Sequence, residues 1–301
     1  MLIPHYYVPF ESGNIYVHRV TSPGNSRAVV ILPGRSMSGR NFWHFDPGTG
    51  ITHAEHLAES GVDVYLVDPL TFGNSTGVAR PNYNRIYFAE QIATVLYHMP
   101  RYEHVSALGF CNTTAVPLVL LAQGWLDSAV VMSPTIFDTQ WCRDNPAMLR
   151  LWQRSATESG FWSTSLESLI DQQLRNISDS AIGKPQRVAT WHSEMQRLTQ
   201  GYTSYNLDSW TASRTWWLDR VNWPTIHDNH GFDTAMLNNK RILFTRGEFD
   251  VEVPESWLKR ACGYFNTADI EKYTIPGATH FALWEHGYQT AVDRVREFLL
   301  S

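Results

Sequence analysis

The sequence predicts an α/β fold, a mostly parallel sheet with helices on both faces and a helical cap inserted into it. Three observations predict it. Short apolar runs recur along the chain, stretches of helical spacing separate them, and the pattern changes between about residues 135 and 238. Strands alternating with helices call for a parallel sheet covered on both sides.

The elements follow in order. Asn14 to Val20 alternates in strand fashion and is closed by a turn at Ser22-Pro23-Gly24-Asn25. Ala28-Val29-Val30-Ile31-Leu32 is a continuous apolar run, as expected of a strand buried on both faces, and it stops at Pro33-Gly34-Arg35-Ser36. A helix is expected over Thr52 to Ser60, ending at Gly61. The next buried strand is Val62 to Val67, followed by the loop Asp68 to Ser75. Tyr83 to His98 has helical spacing through Ile86, Ala89, Ile92, Ala93 and Leu96. A strand over His104 to Phe110, an apolar helix over Thr113 to Gln123 and a strand over Ala129 to Met132 come next. After the insertion the alternation resumes with a strand at Arg241 to Thr245, a helix near Pro254 to Cys262, a strand near Ile270 to Ile275 and a terminal helix near Glu285 to Leu300. Residues 1–134 and 239–301 therefore form the core, and residues 135–238 form the cap, which reads as helix-like segments with no strong strand.

Composition narrows the function. A chain of 301 residues can bury a large core. Its net charge of -5 offers no basic footprint for nucleic acid. No apolar run is long enough for a membrane-spanning helix. The N-terminus lacks a charged segment followed by an apolar one, so a secretory signal is not expected. The three cysteines, Cys111, Cys142 and Cys262, are too few and too scattered for a disulfide framework or a zinc site. A cytoplasmic location is the expectation, with no metal and no cofactor. Eight of the 12 tryptophans lie in the insertion, Trp216 and Trp217 among them. They serve core packing in the cap, and they could also line an apolar substrate pocket.

The chemistry centres on Leu108-Gly109-Phe110-Cys111-Asn112-Thr113. A strand ends here and a helix begins, so one residue is held at a sharp turn, the context of a G-x-S-x-G nucleophile elbow. Cysteine occupies the serine position, and Thr113 stands where the second glycine would be. A threonine there asks the neighbouring strand to supply space with small side chains.

Taken with the rest of the chain, this elbow resembles that of the α/β-hydrolase superfamily. Pro33-Gly34-Arg35-Ser36, Asp68 to Ser75, the Cys111 elbow, Gly247-Glu248-Phe249-Asp250 and Pro276-Gly277-Ala278-Thr279-His280 occur in the family's order. The resemblance implies a nucleophile, acid and histidine at Cys111, Asp250 and His280. It places oxyanion donors at the backbone N–H groups of Asn112 and Arg35. Arg35, Ser36, Trp216 and Trp217 are the expected substrate contacts, and Asp68 with Gly73 and Ser75 is expected to be a structural loop. Glu248, Glu252 and Asp138 compete for the acid role, and His286 for the base. The Gly-Phe-Cys run is locally similar to polyhydroxyalkanoate synthases, and dienelactone hydrolases and cysteine-type thioesterases share the nucleophile.

A cysteine forms a thioester acyl-enzyme, which keeps the acyl group activated for transfer to an amine, alcohol or carbon nucleophile as well as to water. The expectation is a cofactor-free acyltransferase or thioesterase. It would act on a thioester or ester with an apolar acyl group, free or presented by coenzyme A or an acyl carrier protein. A carboxylester or lactone hydrolase is the alternative, and a non-catalytic ligand-binding protein of the same fold is a further one.

Overall fold

Strand propensity and burial on both faces organise the core around one eight-stranded sheet. The computed structural model describes residues 5–34, 39, 43, 44, 46, 49–70, 72–77, 85–134, 161–165, 209–213, 233–250, 252–265, 267–284 and 288–301. The strands of the large sheet are β1 (His5–Phe10), β2 (Gly13–Val20), β3 (Arg27–Leu32), β4 (Val62–Asp68), β5 (His104–Phe110), β6 (Ser128–Met132), β9 (Arg241–Gly247) and β10 (Asp269–Ile275). Their spatial order is β1-β2-β4-β3-β5-β6-β9-β10. The β1–β2 and β2–β4 pairs are antiparallel, and every other neighbour is parallel. The mostly parallel sheet expected from the sequence is therefore present. β1 adds an antiparallel edge hairpin that the strand reading did not include.

Period-2 alternation divides each central strand between two cores. Ala28, Val30 and Leu32 of β3, Tyr65 and Val67 of β4 and Ile242 and Phe244 of β9 face one side. They pack there with residues of α2 (Arg85–His98), α3 (Ala115–Ala122) and α4 (Glu255–Tyr264). Val29 and Ile31, Val64 and Leu66, and Leu243 face the other side. They meet residues of α1 (His53–Glu59) and α5 (Tyr288–Leu300). Continuous apolar runs are what strands covered on both faces require. α1 starts with a capping box: the Thr52 hydroxyl accepts from the Glu55 N–H, and the Glu55 carboxylate accepts from the Thr52 N–H.

Within residues 135–238 the description covers two strands, β7 (Phe161–Ser165) and β8 (Ser209–Ser213), paired antiparallel with Trp162 opposite Ala212 and Thr164 opposite Trp210, and a short 3₁₀ turn at Thr234–Leu237. The sequence reading assigned no strand here. β8 alternates serine and threonine with Trp210 and Ala212, while β7 is two aromatics followed by three hydroxyl residues, and both are too short to stand out from their polar surroundings. Trp216 and Trp217 lie outside the described residues.

The sheet order creates a switch point. From β3 the chain moves outward to β4, then returns past β3 to β5 on its other side. In open α/β sheets the crevice at such a reversal, beyond the carboxyl ends of the strands, is where sites form. Leu32 is registered against Gly109, so the segment after β3 and the turn after β5 leave the sheet side by side.

Candidate active site

Cys111 stands at the carboxyl end of β5 in a left-handed conformation, φ 55°. A non-glycine residue held there stores on the order of 1–3 kcal/mol of strain, and such strain collects at functional positions. The surroundings enforce it. Residues Cys111–Thr114 form a 3₁₀ turn leading into α3. The Thr114 hydroxyl donates to the Cys111 carbonyl at 2.7 Å. A Cβ on Gly109 would lie 2.6 Å from the Thr113 carbonyl oxygen and 2.8 Å from the Thr114 Cα, so only glycine lets the chain fold back this tightly.

Thr113 does more than occupy the expected glycine's place. Its hydroxyl lies 3.0 Å from both the Phe110 and the Pro33 carbonyls and accepts from the Phe110 N–H at 3.2 Å. The neighbouring strand thus supplies a buried acceptor at its end, where small side chains were expected. Next to Pro33, a Cβ on Gly34 would sit 2.4 Å from the Phe110 ring and 3.4 Å from the Cys111 Cβ. The Pro33-Gly34 segment is consequently packed against the elbow. Arg35 and Ser36 lie outside the described residues.

Two late loops bring the remaining groups. β9 ends at Gly247, where a Cβ would lie 2.2 Å from the Thr279 carbonyl oxygen, so the loops after β9 and β10 touch. Asp250 Oδ1 accepts the N–H groups of Glu252 and Val253, each at 2.9 Å, and this turn fixes its carboxylate. The other oxygen, Oδ2, lies 2.9 Å from His280 Nδ1. A carboxylate only accepts, so Nδ1 carries the hydrogen and Nε2 points away from Asp250.

Cys111 Sγ, a ring nitrogen of His280 and a Glu252 carboxylate oxygen all lie within 4.8 Å of one another, and Nε2 is 3.7 Å from Glu252. The sequence-predicted Cys111, Asp250 and His280 are therefore brought together, with side chains buried from solvent. Asn112 is also buried, and its side-chain oxygen is 3.3 Å from the Cys111 thiol. Its backbone N–H belongs to the first turn after β5.

Burial by itself would lower the His280 pKa. The charges of Asp250, Glu252 and Cys111, with the Asp250 hydrogen bond, outweigh that and hold it well above the ordinary histidine value. Cys262, the other described cysteine, is unbridged, and its burial pushes its thiol up to about 11.

Among the competitors, Glu248 is occupied elsewhere, accepting the Gly277 N–H at 2.8 Å. Glu252 approaches the opposite ring nitrogen from Asp250, 3.7 Å from Nε2. The sequence offered that carboxylate only as a substitute for Asp250. Its signal was the Asp-x-Glu spacing, whose turn sets the two carboxylates on either side of one imidazole. Asp138 and His286 lie outside the described residues. Asp68 behaves as a structural loop residue: its side chain accepts from the N–H groups of Gly39 and Asn74, and its carbonyl accepts from the Ser75 hydroxyl. Among the described residues, no helix is long and apolar enough to cross a membrane.

No family model matches the sequence, and no curated protein matches it. Solved structures do match. A soluble variant of monoglyceride lipase from Saccharomyces cerevisiae is similar at 12% identity and TM-score 0.66, covering 99% of this chain and 96% of its own. The α/β hydrolase GrgF from Penicillium sp. sh18 is similar at 16% identity and TM-score 0.63, covering 99% and 98%. A thioesterase domain from the curacin biosynthetic pathway is similar at 11% identity and TM-score 0.63, covering 100% and 98%. At these identities the likeness speaks for the fold. Together with the sheet order and the strained turn after β5, it establishes that this chain has the α/β-hydrolase fold.

Proposed function

We propose that this protein is a cofactor-free acyl-enzyme catalyst in which Cys111 is the nucleophile, His280 the acid–base and Asp250 the group that orients His280. The observation that carries the reading is the strained Cys111 at the carboxyl end of β5, with Sγ within 4.8 Å of an imidazole whose far nitrogen is 2.9 Å from a buried carboxylate. A nucleophile, a base and a third group orienting the base are the parts that nucleophilic catalysis requires.

Cys111 gives its proton to His280 Nε2, and the Asp250 and Glu252 carboxylates favour the imidazolium so formed. The thiolate attacks the substrate carbonyl carbon, and the Asn112 N–H, with that of Arg35, donates to the resulting oxyanion. The bond to the leaving group breaks, Nε2 returns its proton to that group, and the acyl group remains on sulfur as a thioester. An incoming alcohol, amine or water gives its proton to Nε2 as its oxygen or nitrogen attacks the thioester carbon, the C–S bond breaks to release the acyl product, and Nε2 returns the proton to the Cys111 sulfur.

The substrate in this reading is a thioester or ester with an apolar acyl group, presented free or on coenzyme A or an acyl carrier protein, under a Trp-rich cap that includes Trp216 and Trp217. A lipase and a thioesterase domain among the proteins of similar fold agree with ester and thioester chemistry. Plain carboxylester or lactone hydrolysis is the second reading, and the lipase is the finding that favours it.

Intact-mass measurement after incubation with a panel of acyl thioesters tests the proposal. The expected result is one acyl adduct located on Cys111 and absent from Cys111→Ala. No adduct from any donor, with activity unchanged in Cys111→Ala, would overturn it. Product analysis with added alcohol or amine acceptors then separates transfer from hydrolysis.

A further inference from the structure

Asp250 and Glu252 place two carboxylates at opposite nitrogens of one imidazole, and a hydrolytic triad uses only one of them. Asp250 takes Nδ1 at 2.9 Å, and Glu252 stands 3.7 Å from Nε2. Nε2 is buried and makes no hydrogen bond among the described residues. The third group facing this space is the Cys111 thiol, with all three ligand atoms within 4.8 Å of one another.

We propose that Cys111 Sγ, His280 Nε2 and a Glu252 carboxylate oxygen form a binding site for a thiophilic divalent cation, zinc foremost, that switches the thiol off. Thiolate, imidazole and carboxylate are the zinc donor types, and three protein ligands leave a fourth tetrahedral position for water. Tetrahedral bonds of about 2.0–2.3 Å put ligand atoms about 3.4–3.6 Å apart. The Nε2–Glu252 distance of 3.7 Å is already close to that, and the Glu252 side chain is partly exposed, whereas His280 and Cys111 are buried. Asp250 on Nδ1 completes the arrangement, since metal-bound histidines donate their other N–H to a carboxylate, which fixes the ring. Binding expels the thiol proton and any proton on Nε2. The dication then balances the charges of Cys111 and Glu252. Sulfur bonded to zinc cannot attack a carbonyl, and Nε2 bonded to zinc cannot accept a proton.

The test uses the full chain, stripped of metal, and needs no substrate. Zinc is titrated in competition with a chromophoric chelator, and iodoacetamide labelling of Cys111 is followed by mass. The expected result is one zinc per chain, protection of Cys111 that a chelator reverses, and no protection by magnesium. Cobalt should give a thiolate-to-metal charge-transfer band that Cys111→Ser abolishes. Glu252→Gln should weaken zinc by about tenfold or more, the scale on which disturbing a ligand's surroundings acts. Zinc bound equally well by Cys111→Ser and Glu252→Gln, or Cys111 labelled at the same rate with and without zinc, would overturn the proposal. Should either variant fail to fold, the labelling rate and cobalt spectrum of the unsubstituted protein decide. Acyl adduct formation is a separate measurement, so either reading can fail while the other stands.

Discussion

The Thr113 hydroxyl lies 3.0 Å from the Pro33 carbonyl, a contact that spans 80 positions of sequence and joins the elbow after β5 to the segment after β3. Both partners are buried, so removing the hydroxyl strands a carbonyl without its donor. Thr113→Val keeps the shape and deletes the bond. It is expected to cost about 1–3 kcal/mol in urea unfolding. Pro33-Gly34 leads directly to Arg35, whose N–H is a proposed oxyanion donor, so the variant should also lose kcat with little change in KM. Unchanged unfolding would show that the contact contributes nothing.

Gly109 before the elbow and Gly247 at the end of β9 make a sharper contrast. A Cβ at Gly109 or Gly247 would press on backbone oxygen at 2.6 and 2.2 Å, and backbone cannot swing aside. Alanine at either position is expected to cost about 2 kcal/mol or more by overpacking. Gly263, inside α4 with open space around its Cβ position, is the control. There alanine should stabilise by about 0.5–1 kcal/mol, since it restricts the unfolded chain and favours helix. Thermal unfolding of the three variants gives the order, and equal shifts would contradict the packing argument.

Asp250 holds His280 through Nδ1, and Asp250→Asn leaves a neutral partner that no longer favours the imidazolium. Under the proposed mechanism, kcat for an acyl thioester should fall by about two to four orders of magnitude, with the fold retained. Iodoacetamide labelling of Cys111 should slow as well. Cys262, whose thiol burial raises to about 11, should remain nearly unlabelled at neutral pH and provides an internal reference. Equal labelling rates in Asp250→Asn and the parent chain would remove Asp250 from the proposed triad.

The sequence was most legible where one residue type answers one physical demand. Continuous apolar runs named the central strands, because only a strand covered on both faces needs Val29 and Val30 buried together. Cys111, Asp250 and His280 were readable because each follows a strand, and the carboxyl ends of parallel strands converge. Thr113 was legible as a departure but not as a clamp, since its acceptor comes from a strand 80 positions away. Glu252 was read as a rival to Asp250, because spacing alone cannot tell which ring nitrogen a carboxylate will reach. β7 and β8 escaped notice because five-residue serine- and threonine-rich strands carry little apolar periodicity.

His53 gives the fold a built-in acid sensitivity. It is buried at the start of α1, with Nε2 2.9 Å from the Leu283 carbonyl. Its pKa is lowered from 6.5 to about 4, chiefly by burial and in smaller part by His56, against the opposing Leu283 hydrogen bond and Asp46. The unfolded chain therefore binds a proton at this site below pH 6.5, and the folded chain does so only near pH 4. Stability must fall as pH drops through that window, by up to about 3 kcal/mol from this residue. His280 has the opposite sign: its pKa is raised, so its contribution is full below 6.5 and is lost only as pH rises above that. The two windows do not overlap, which allows the acid limb to be assigned. His53→Gln can keep a donor toward Leu283 and carries no titratable group. Urea unfolding of both proteins between pH 7 and 4.5 should give a steep decline for the parent chain and a shallower one for the variant. Parallel curves would place the acid sensitivity elsewhere.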